Sequence, residues 1–405
     1  MTDRLAETIQ TDVERLCSSG DRDLGTARNR AATDYVLGRL REAGLETAEL
    51  GFEVPEWRYG GARVRAGGRE IGAHPGPFSP ALEGSGPLVV IRTADEIGAV
   101  DMPRAVLLLC DGIAATQFTP RDYPFYGDPD HAAILADLEA ARPLAVLAAT
   151  SSSAMTGAMC PFPLIEEVGF AAPTAYMTLE DGATLAARAG ETVTVSIDSE
   201  VRPSVGIQPI GRATGTDAGR IIVSAHIDSK PETPGALDNA TGVAVLLAVA
   251  ELLRDTEPGP TLEFVPFNGE DHVLAPGEMA WLGANEDLSD VRLMINIDAA
   301  GLRGSPSAYS LYGVDEAVTA AAADLASGNP HVTEGPQWPA SDHMIFAMRG
   351  IPAIAVTSTD FAAASRTYSH TPADVPALVD HDLLAGTARF IADLIRRSGT
   401  PAGRR

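Results

Sequence analysis

The sequence is poor in cysteine, in long apolar runs and in lysine. Its three cysteines, Cys17, Cys110 and Cys160, are odd in number and far apart, so they predict neither a disulfide framework nor a cysteine-based metal site. No apolar run approaches the roughly 18 residues that a membrane span needs, and charged residues interrupt Met1–Leu16, where a secretory signal would be apolar. These absences predict a soluble, cytoplasmic protein without membrane contact.

Acidic residues dominate the charge. The 405 residues include 30 lysines and arginines against 55 aspartates and glutamates, for a formal net charge of −25, and Lys230 is the single lysine. A net negative charge of this size repels the phosphate backbone of a nucleic acid, so nucleic acid is not an expected partner. Two explanations stay open: a GC-rich or salt-adapted genome, which is the simpler, and a preference for cationic substrates.

The spacing of apolar residues predicts a mixed α/β protein with an insertion. An amphipathic helix over 29–43 and an alternating strand over 47–54 come first, and a glycine- and proline-rich texture begins at residue 57. From residue 220, strands and helices alternate, which is typical of a mixed, mostly parallel central sheet flanked by helices. We therefore expect a boundary near residue 57, short strands alternating with helices up to about residue 198, and a regular α/β domain from residue 220.

Side chains able to bind a metal lie where predicted strands meet their loops. The carboxyl ends of strands in an open α/β sheet face a common crevice, so residues far apart in the chain can converge there. The candidates are His226, Asp228, Asp238, Glu270, Asp271, Asp298 and His370.

These residue types suit a pair of divalent ions. Imidazole and carboxylate bind zinc at roughly 2 Å, and two ions need one bridging carboxylate, a role that suits Asp238. Of the adjacent Glu270 and Asp271, the longer side chain can be a general base while the shorter binds metal. Asp228 can accept the remaining imidazole N–H of His226. Each motif alone is more often a helix cap or a solvated loop, and only the ordered set favours a metal site.

The ordered motifs resemble those of a known enzyme family. They are H-x-D, LDNATG, GED, N-I-D-x-x-G, SDH with GIPA, and HTPAD. This order resembles the co-catalytic zinc aminopeptidase family, which also contains glutamate carboxypeptidases, glutaminyl cyclases and metal-free receptor relatives. The resemblance implies a zinc-exopeptidase-like catalytic domain over 1–56 and 200–405, and a protease-associated-type insert over 57–199, a smaller α/β or β-rich domain.

The resemblance also implies site roles. Two divalent ions are expected, zinc in the first place, with cobalt and manganese as alternatives; Asp238 would bridge them. The family often has glutamate where Asp271 stands, and it holds the peptide bond after the bridging aspartate, here Asp238–Asn239, in the cis form. The implied ligands are His226, Asp238, Asp271, Asp298 and His370, with Glu270 as general base and Asp228 orienting His226.

Other residues are weaker candidates. Asp342 and His343 resemble the family's segment beside the metals, with a helix cap and a surface histidine as the alternative. Tyr368 is a candidate donor to an oxyanion, with packing at least equally favoured. The remaining candidates are His272, expected in a solvated loop, and Trp281 and Phe361, expected in the core or in the substrate pocket.

The predicted reaction is hydrolysis of a peptide bond by a metal-activated water, with Glu270 as base. An aminopeptidase acting on short peptides is favoured, and a deacylase or dipeptidase for a specific small amide is the alternative. A dead receptor-like protein is disfavoured because all five ligand positions are intact. A second co-catalytic peptidase class is disfavoured because its extra domain lies between the acidic ligands and the last histidine. Here only 71 residues separate Asp298 from His370, and the insert lies at 57–199. The expected partner is a peptide or small amide, and the oligomeric state stays open.

Overall fold

Strands and helices alternate through most of the chain in the computed structural model, which describes residues 3–99, 103–153 and 155–398. The strands are β1 Glu46–Ala66, β2 Arg69–Pro75, β3 Leu82–Ile91, β4 Val106–Leu109, β5 Ala145–Thr150, β6 Thr174–Thr178, β7 Thr192–Ala213, β8 Arg220–His226, β9 Thr261–Phe267, β10 Val291–Ile297, β11 Ser307–Tyr312, β12 Val332–Glu334 and β13 Ala353–Ser358. The α-helices are α1 Arg4–Cys17, α2 Ala27–Glu42, α3 Pro129–Ala140, α4 Leu179–Ala186, α5 Thr241–Leu253, α6 Pro276–Ala284, α7 Glu316–Ser327, α8 His343–Ala347, α9 Phe361–Ser365 and α10 His381–Ser398.

The chain divides into two units, each with its own core. One consists of Met1–Val54 and Val205–Arg405, and the other of Pro55–Ser204. The sequence analysis set the corresponding boundaries at residues 57 and 199. The long strands β1 and β7 carry the chain from one unit into the other.

The first unit is built on a mixed, mostly parallel sheet, which confirms the predicted fold class. Its parallel strands lie in the order β9, β8, β10 and β13. Antiparallel strands flank them, with β11 beside β13 and residues 211–213 of β7 beside β9. The strand β11 was not evident from the apolar spacing of the sequence. Its sequence SAYSLY holds small polar residues that nevertheless pack in the sheet.

The helix α5 lies at the centre of this core. It is apolar on every side and buried along nearly its whole length. Among the described residues, the window Ala236–Leu253 is long and apolar enough to cross a membrane, although 83% of it is buried inside the fold. A central core helix has the same length and composition, so this window is weak support for a membrane span.

The strands of the second unit also pair with one another. The strands β3, β4, β5 and β6 run parallel to one another, and β2 pairs antiparallel with both β1 and β6. The helices α3 and α4 belong to this unit, and apolar residues of the parallel strands make up much of its core.

The parallel strands of the first unit position the candidate site. His226 is the last residue of β8, Asp298 follows β10 directly, and the turn 268–271 follows β9. Because these strands are parallel neighbours, their carboxyl ends meet at one edge of the sheet.

Candidate metal centre

Two groups of potential metal ligands meet at this edge of the sheet. The first contains His226, Asp238 and Asp298, and the second contains Asp238, Asp271 and His370. Within each group the potential ligand atoms lie within 4.8 Å of one another. All five residues that the sequence suggested as ligands are therefore brought together.

Asp238 is common to both groups and divides its two oxygens between them. Its Oδ1 lies 3.2 Å from His226 Nε2, and its Oδ2 lies 3.3 Å from His370 Nε2. Asp298 Oδ1 lies 3.6 Å from His226 Nε2, and Asp271 Oδ1 lies 3.1 Å from His370 Nε2. This arrangement suits two cations bridged by one carboxylate.

Two of the potential ligand atoms lack the hydrogen bonds that buried polar atoms normally make, as expected for atoms that bind a cation. His226 Nε2 and Asp271 Oδ2 are buried and have no hydrogen-bond partner within the part of the chain that the structure describes. Buried polar atoms without partners are costly, and a metal ligand atom is one of the situations that explains them. Imidazole and carboxylate are also the ligand types that zinc accepts.

The electrostatics of the two histidines lead to the same conclusion. Burial lowers the pKa of His226, but the surrounding carboxylates, including Asp228 and Asp238, outweigh burial and raise it well above its usual value. The pKa of His370 is raised in the same way by Asp271 and Asp238. The surroundings thus favour positive charge at both imidazoles, and a cation bound to a neutral imidazole satisfies the same demand.

Asp228 acts mainly on the turn that follows β9. Its carboxylate accepts hydrogen bonds from the backbone N–H of Gly269, at 2.9 Å, and of Asp271, at 3.1 Å. His226 Nδ1 lies closer to the backbone carbonyl oxygen of Asp228, at 3.2 Å, than to its Oδ1, at 3.6 Å. The side chain expected to orient His226 therefore holds the turn that carries Glu270 and Asp271.

The loop that carries Asp238 is fixed by a residue to which the sequence analysis gave no role. Asp374 is fully buried, and its carboxylate accepts the backbone N–H of Leu237 at 2.7 Å and of Asp238 at 3.0 Å. The Asp238–Asn239 peptide bond is cis, as the resemblance implied. Asn239 donates to the carbonyl oxygen of Ile297 at 2.9 Å, which ties this loop to the end of β10.

Arg22 fixes the start of the same loop. Its guanidinium is fully buried and donates to the backbone carbonyl oxygens of Ile227, Pro234 and Gly235 at 2.6, 2.6 and 2.9 Å. The sequence signal for this role was weak, because an isolated arginine resembles any surface arginine and its three acceptors are backbone groups.

Glu270 stands beside both ligand groups and is not a member of either. It is half-buried in the turn after β9. Burial raises the pKa of Glu270 well above its usual value, and the carboxylates of Asp298, Asp271 and Asp238 raise it further. A carboxylate with a raised proton affinity next to a metal centre is suited to accept and return a proton.

Three of the weaker candidates also have definite positions. Asp342 and His343 are buried where α8 begins, so the expected alternative of a surface histidine is wrong. His343 Nε2 lies 3.0 Å from the carbonyl oxygen of Trp338. Tyr368 is partly buried and packs against the core, so its candidate role as a donor stays a prediction.

The structure corrects the expectation for His272 and decides between the two alternatives given for Trp281. His272 is buried, not solvated; its Nδ1 accepts the backbone N–H of Leu274, and burial lowers its pKa to about 3. Trp281 is a core residue that donates to Glu263 Oε1 at 3.0 Å, so it does not line a pocket. Phe361 is half-buried against the ring of Trp338.

Comparisons with known proteins agree with this geometry. Residues 209–395 match the model of Peptidase family M28. The chain is similar to the Probable lipoprotein aminopeptidase LpqL of Mycobacterium tuberculosis, with 26% identity covering 78% of this chain and 61% of that protein. It is also similar to Leucine aminopeptidase 2 of Arthroderma otae, with 24% identity covering 72% and 59%. The chain thus spans about three fifths of the length of these curated relatives.

Solved structures share the fold over nearly the whole chain. An aminopeptidase from Aneurinibacillus sp. strain AM-1 superposes with a TM-score of 0.75 at 20% identity, covering 96% of this chain and 93% of that one. A zinc aminopeptidase from Bacillus subtilis does so with a TM-score of 0.75 at 19% identity, covering 97% and 95%. Residues 209–395, which match the model of Peptidase family M28, carry every candidate ligand, and the solved structures share the fold around them.

Proposed function

We propose that this chain is a zinc-dependent aminopeptidase that releases single residues from the free N-termini of short peptides. The observation that carries the proposal is the double ligand group that shares Asp238, with Glu270 beside it. Two similar proteins are named aminopeptidases, which supports the proposal. The chain spans only about three fifths of the length of those relatives, so the proposal rests on the site itself.

The residues around the centre divide the work of hydrolysis. When bound, two divalent ions act as Lewis acids towards water and the peptide carbonyl. Glu270 accepts the proton that the water loses and returns it to the nitrogen of the leaving amine as the C–N bond breaks, so the proton inventory balances. Asp228 keeps Glu270 and Asp271 in place through the turn. The ions would be held by His226 and Asp298, by Asp271 and His370, and by Asp238 between them.

The charge of the site favours a cationic substrate group. The five carboxylates of the site are those of Asp228, Asp238, Glu270, Asp271 and Asp298. With all five ionised and both imidazoles neutral, two bound dications would leave a net charge of −1. A free α-amino group carries positive charge near neutral pH and is attracted to such a site, whereas an acetylated terminus is not. This supports an aminopeptidase over a deacylase, which acts on blocked amines.

The decisive test is cleavage of a peptide mixture followed by mass spectrometry. Each peptide is supplied with a free and with an acetylated N-terminus, and the zinc-loaded protein is compared with the same protein after chelator treatment. We expect loss of single N-terminal residues from free peptides only, abolished by chelator and restored by zinc. Cleavage of the acetylated peptides would instead establish a deacylase or endopeptidase, and no cleavage by the zinc-loaded protein would overturn the proposal.

Two further proposals concern the rest of the molecule. The unit Pro55–Ser204 is proposed to be a protease-associated-type insert, on the ground that it precedes the first histidine ligand. We also propose a cytoplasmic location. One relative is named a lipoprotein, so the location needs its own test, and cell fractionation provides it.

A further inference from the structure

Two buried carboxyl groups behind the metal centre lack hydrogen-bond partners. Glu278 lies in the first turn of α6, Asp342 immediately precedes α8, and each is 1% exposed. All four of their carboxyl oxygens are buried, and none has a hydrogen-bond partner among the described residues. Neither residue is a candidate metal ligand.

These two carboxyl groups face each other. Glu278 and Asp342 are within side-chain hydrogen-bonding range, and the helices that carry them pack together through the rings of Trp281 and Phe346, whose centroids lie 5.5 Å apart. Two ionised carboxylates within hydrogen-bonding range of each other repel strongly in a buried site. Without a proton they also cannot form a hydrogen bond, because neither of them has a donor. One proton resolves both difficulties, because a protonated carboxyl donates to an ionised one.

The pair lies directly behind the turn that carries Glu270 and Asp271. A Cβ atom placed on Gly269 would lie 3.2 Å from Glu278 Oε2, and one placed on Gly277 would lie 2.5 Å from the carbonyl oxygen of Asn268. The first turn of α6 therefore packs tightly against the turn 268–271. A displacement of Glu278 is transmitted to that turn because there is no space between them to absorb it.

We propose that Glu278 and Asp342 share a single proton, and that the hydrogen bond it makes is a positioning device that holds the turn of Glu270 and Asp271 against α8. The proposal rests on the proposed function for its catalytic consequence, whereas the shared proton itself does not depend on that function. Glu278 acts through other residues and is not a catalytic residue.

The groups around the pair favour retention of the proton. Burial raises the pKa of Glu278 to about 8, with a further contribution from Asp228. Burial also raises the pKa of Asp342 well above its usual value, and Glu278 and Glu270 act in the same direction. With one proton the pair carries a single negative charge, beside a centre already crowded with carboxylates.

Infrared spectroscopy at neutral pH tests the shared proton. The zinc-loaded protein is expected to show the carbonyl band of a protonated carboxylic acid, and both Glu278→Gln and Asp342→Asn are expected to lose it. Each amide donates to the remaining carboxylate, so each variant keeps the hydrogen bond and the net charge of the pair. The matched control is Glu286→Gln, which replaces an exposed glutamate just after α6 and leaves the band unchanged.

Zinc retention against a competing chelator tests the positioning role. Glu278→Met matches the size of glutamate but donates nothing, and we expect it to weaken zinc binding about 10- to 100-fold, the usual effect of losing a group that supports metal ligands. Glu278→Gln, with its amide donor, is expected to stay close to wild type. With leucine p-nitroanilide as substrate, kcat of the methionine variant should fall by a similar factor while KM changes little.

Several results would overturn the proposal. They are the absence of a protonated-acid band in the wild type, a band that survives both amide variants, or equal zinc affinities for the glutamine and methionine variants. If the methionine variant does not fold by circular dichroism, the two amide variants still decide the question by infrared. If neither the wild type nor any variant cleaves peptides, the proposed function fails. The infrared band and the zinc affinities still test whether Glu278 and Asp342 share a proton.

Discussion

At the scale of single residues, Glu270 is the side chain on which the proposed chemistry depends most. We expect Glu270→Gln to lower kcat on leucine p-nitroanilide by about 10²- to 10⁴-fold, because the amide has the size of the carboxyl but cannot accept a proton. Since Glu270 lies outside both ligand groups, the variant should still bind two equivalents of zinc, measured by atomic absorption. Retained turnover would remove Glu270 from the role of base.

Asp374 makes a second prediction possible at this scale. Its two oxygens accept the N–H groups of Leu237 and Asp238, and an asparagine would place an NH2 group against one of them. We expect Asp374→Asn to lower zinc affinity about 10- to 100-fold, because the loop that carries Asp238 loses its support. The measurement is chelator competition at neutral pH.

The control for this variant is Asp315→Ala, which removes the N-terminal cap of α7 far along the chain from the ligands. It should reduce the free energy of unfolding by about 1 kcal/mol and leave zinc affinity unchanged. An equal loss of zinc affinity in both variants would show that Asp374 acts through general stability alone.

The metal-ligand candidates were predictable from the sequence because they lie at strand ends or in the loops that follow the strands, and each belongs to an ordered motif. Asp374, Arg22 and Glu278 were not, for a common physical reason. Asp374 accepts backbone N–H groups and Arg22 donates to backbone carbonyl oxygens more than a hundred residues away, and backbone groups leave no mark in the sequence. The carboxyl oxygens of Glu278 have no hydrogen-bond donor within the described ranges, and the side chain beside them is another acid, which no pattern of opposite charges could have indicated.

At the scale of elements, the loop between β8 and α5 depends on Arg22. We expect Arg22→Lys to lower the free energy of unfolding by about 1.5 to 3 kcal/mol, the range for losing a buried hydrogen bond to a charged group, since an ammonium cannot reach three carbonyl oxygens in the fixed geometry of a guanidinium. Urea unfolding of the zinc-loaded protein measures this.

The matched substitution is Arg30→Lys, which alters an exposed ion pair with Asp34 on α2. Exposed pairs of this kind contribute only about 0.3 to 0.5 kcal/mol, so this variant should unfold almost as the wild type does. A loss at Arg22 no larger than the loss at Arg30 would contradict the anchoring role.

Elements with a clear period were predicted well, and those whose partners are distant were not. The helix expected over 29–43 appears as Ala27–Glu42, and the strand expected over 47–54 lies within Glu46–Ala66. The strand Ser307–Tyr312 was missed because its serines carry no apolar signal, and it is held by pairing with Ala353–Ser358 on one side and Val332–Glu334 on the other. Tertiary pairing of this kind overrides a weak local preference.

At the scale of the whole molecule, the stability of the fold is expected to depend on metal binding at the acidic centre. The chain carries a net charge of −25, and the two ligand groups bring three carboxylates around two histidines, with Asp228 and Glu270 beside them. A ligand that binds only the folded state stabilises it, by about 2.7 kcal/mol when its free concentration is a hundred times its Kd. Zinc should therefore raise the unfolding temperature, and chelator should lower it.

The size of this zinc effect is expected to grow with pH. In the ion-free protein the pKa values of His226 and His370 are raised well above 6.5, so the folded state binds their protons more tightly than the unfolded state does. The stability that these protons supply is fully present below about pH 6.5 and is lost as pH rises through the raised values. Zinc needs neutral imidazoles and therefore competes with the same protons.

Unfolding temperatures with and without zinc, taken at about pH 6 and about pH 8, check this competition, because the increment due to zinc should be larger at the higher pH. His343 provides the control, since burial lowers its pKa to about 4 and it is neutral in the folded state at both pH values. A His343→Gln variant should therefore keep the same pH dependence of the zinc increment, even if its overall stability falls. An increment that is equal at both pH values, or larger at the lower one, would mean that zinc and protons do not share His226 and His370.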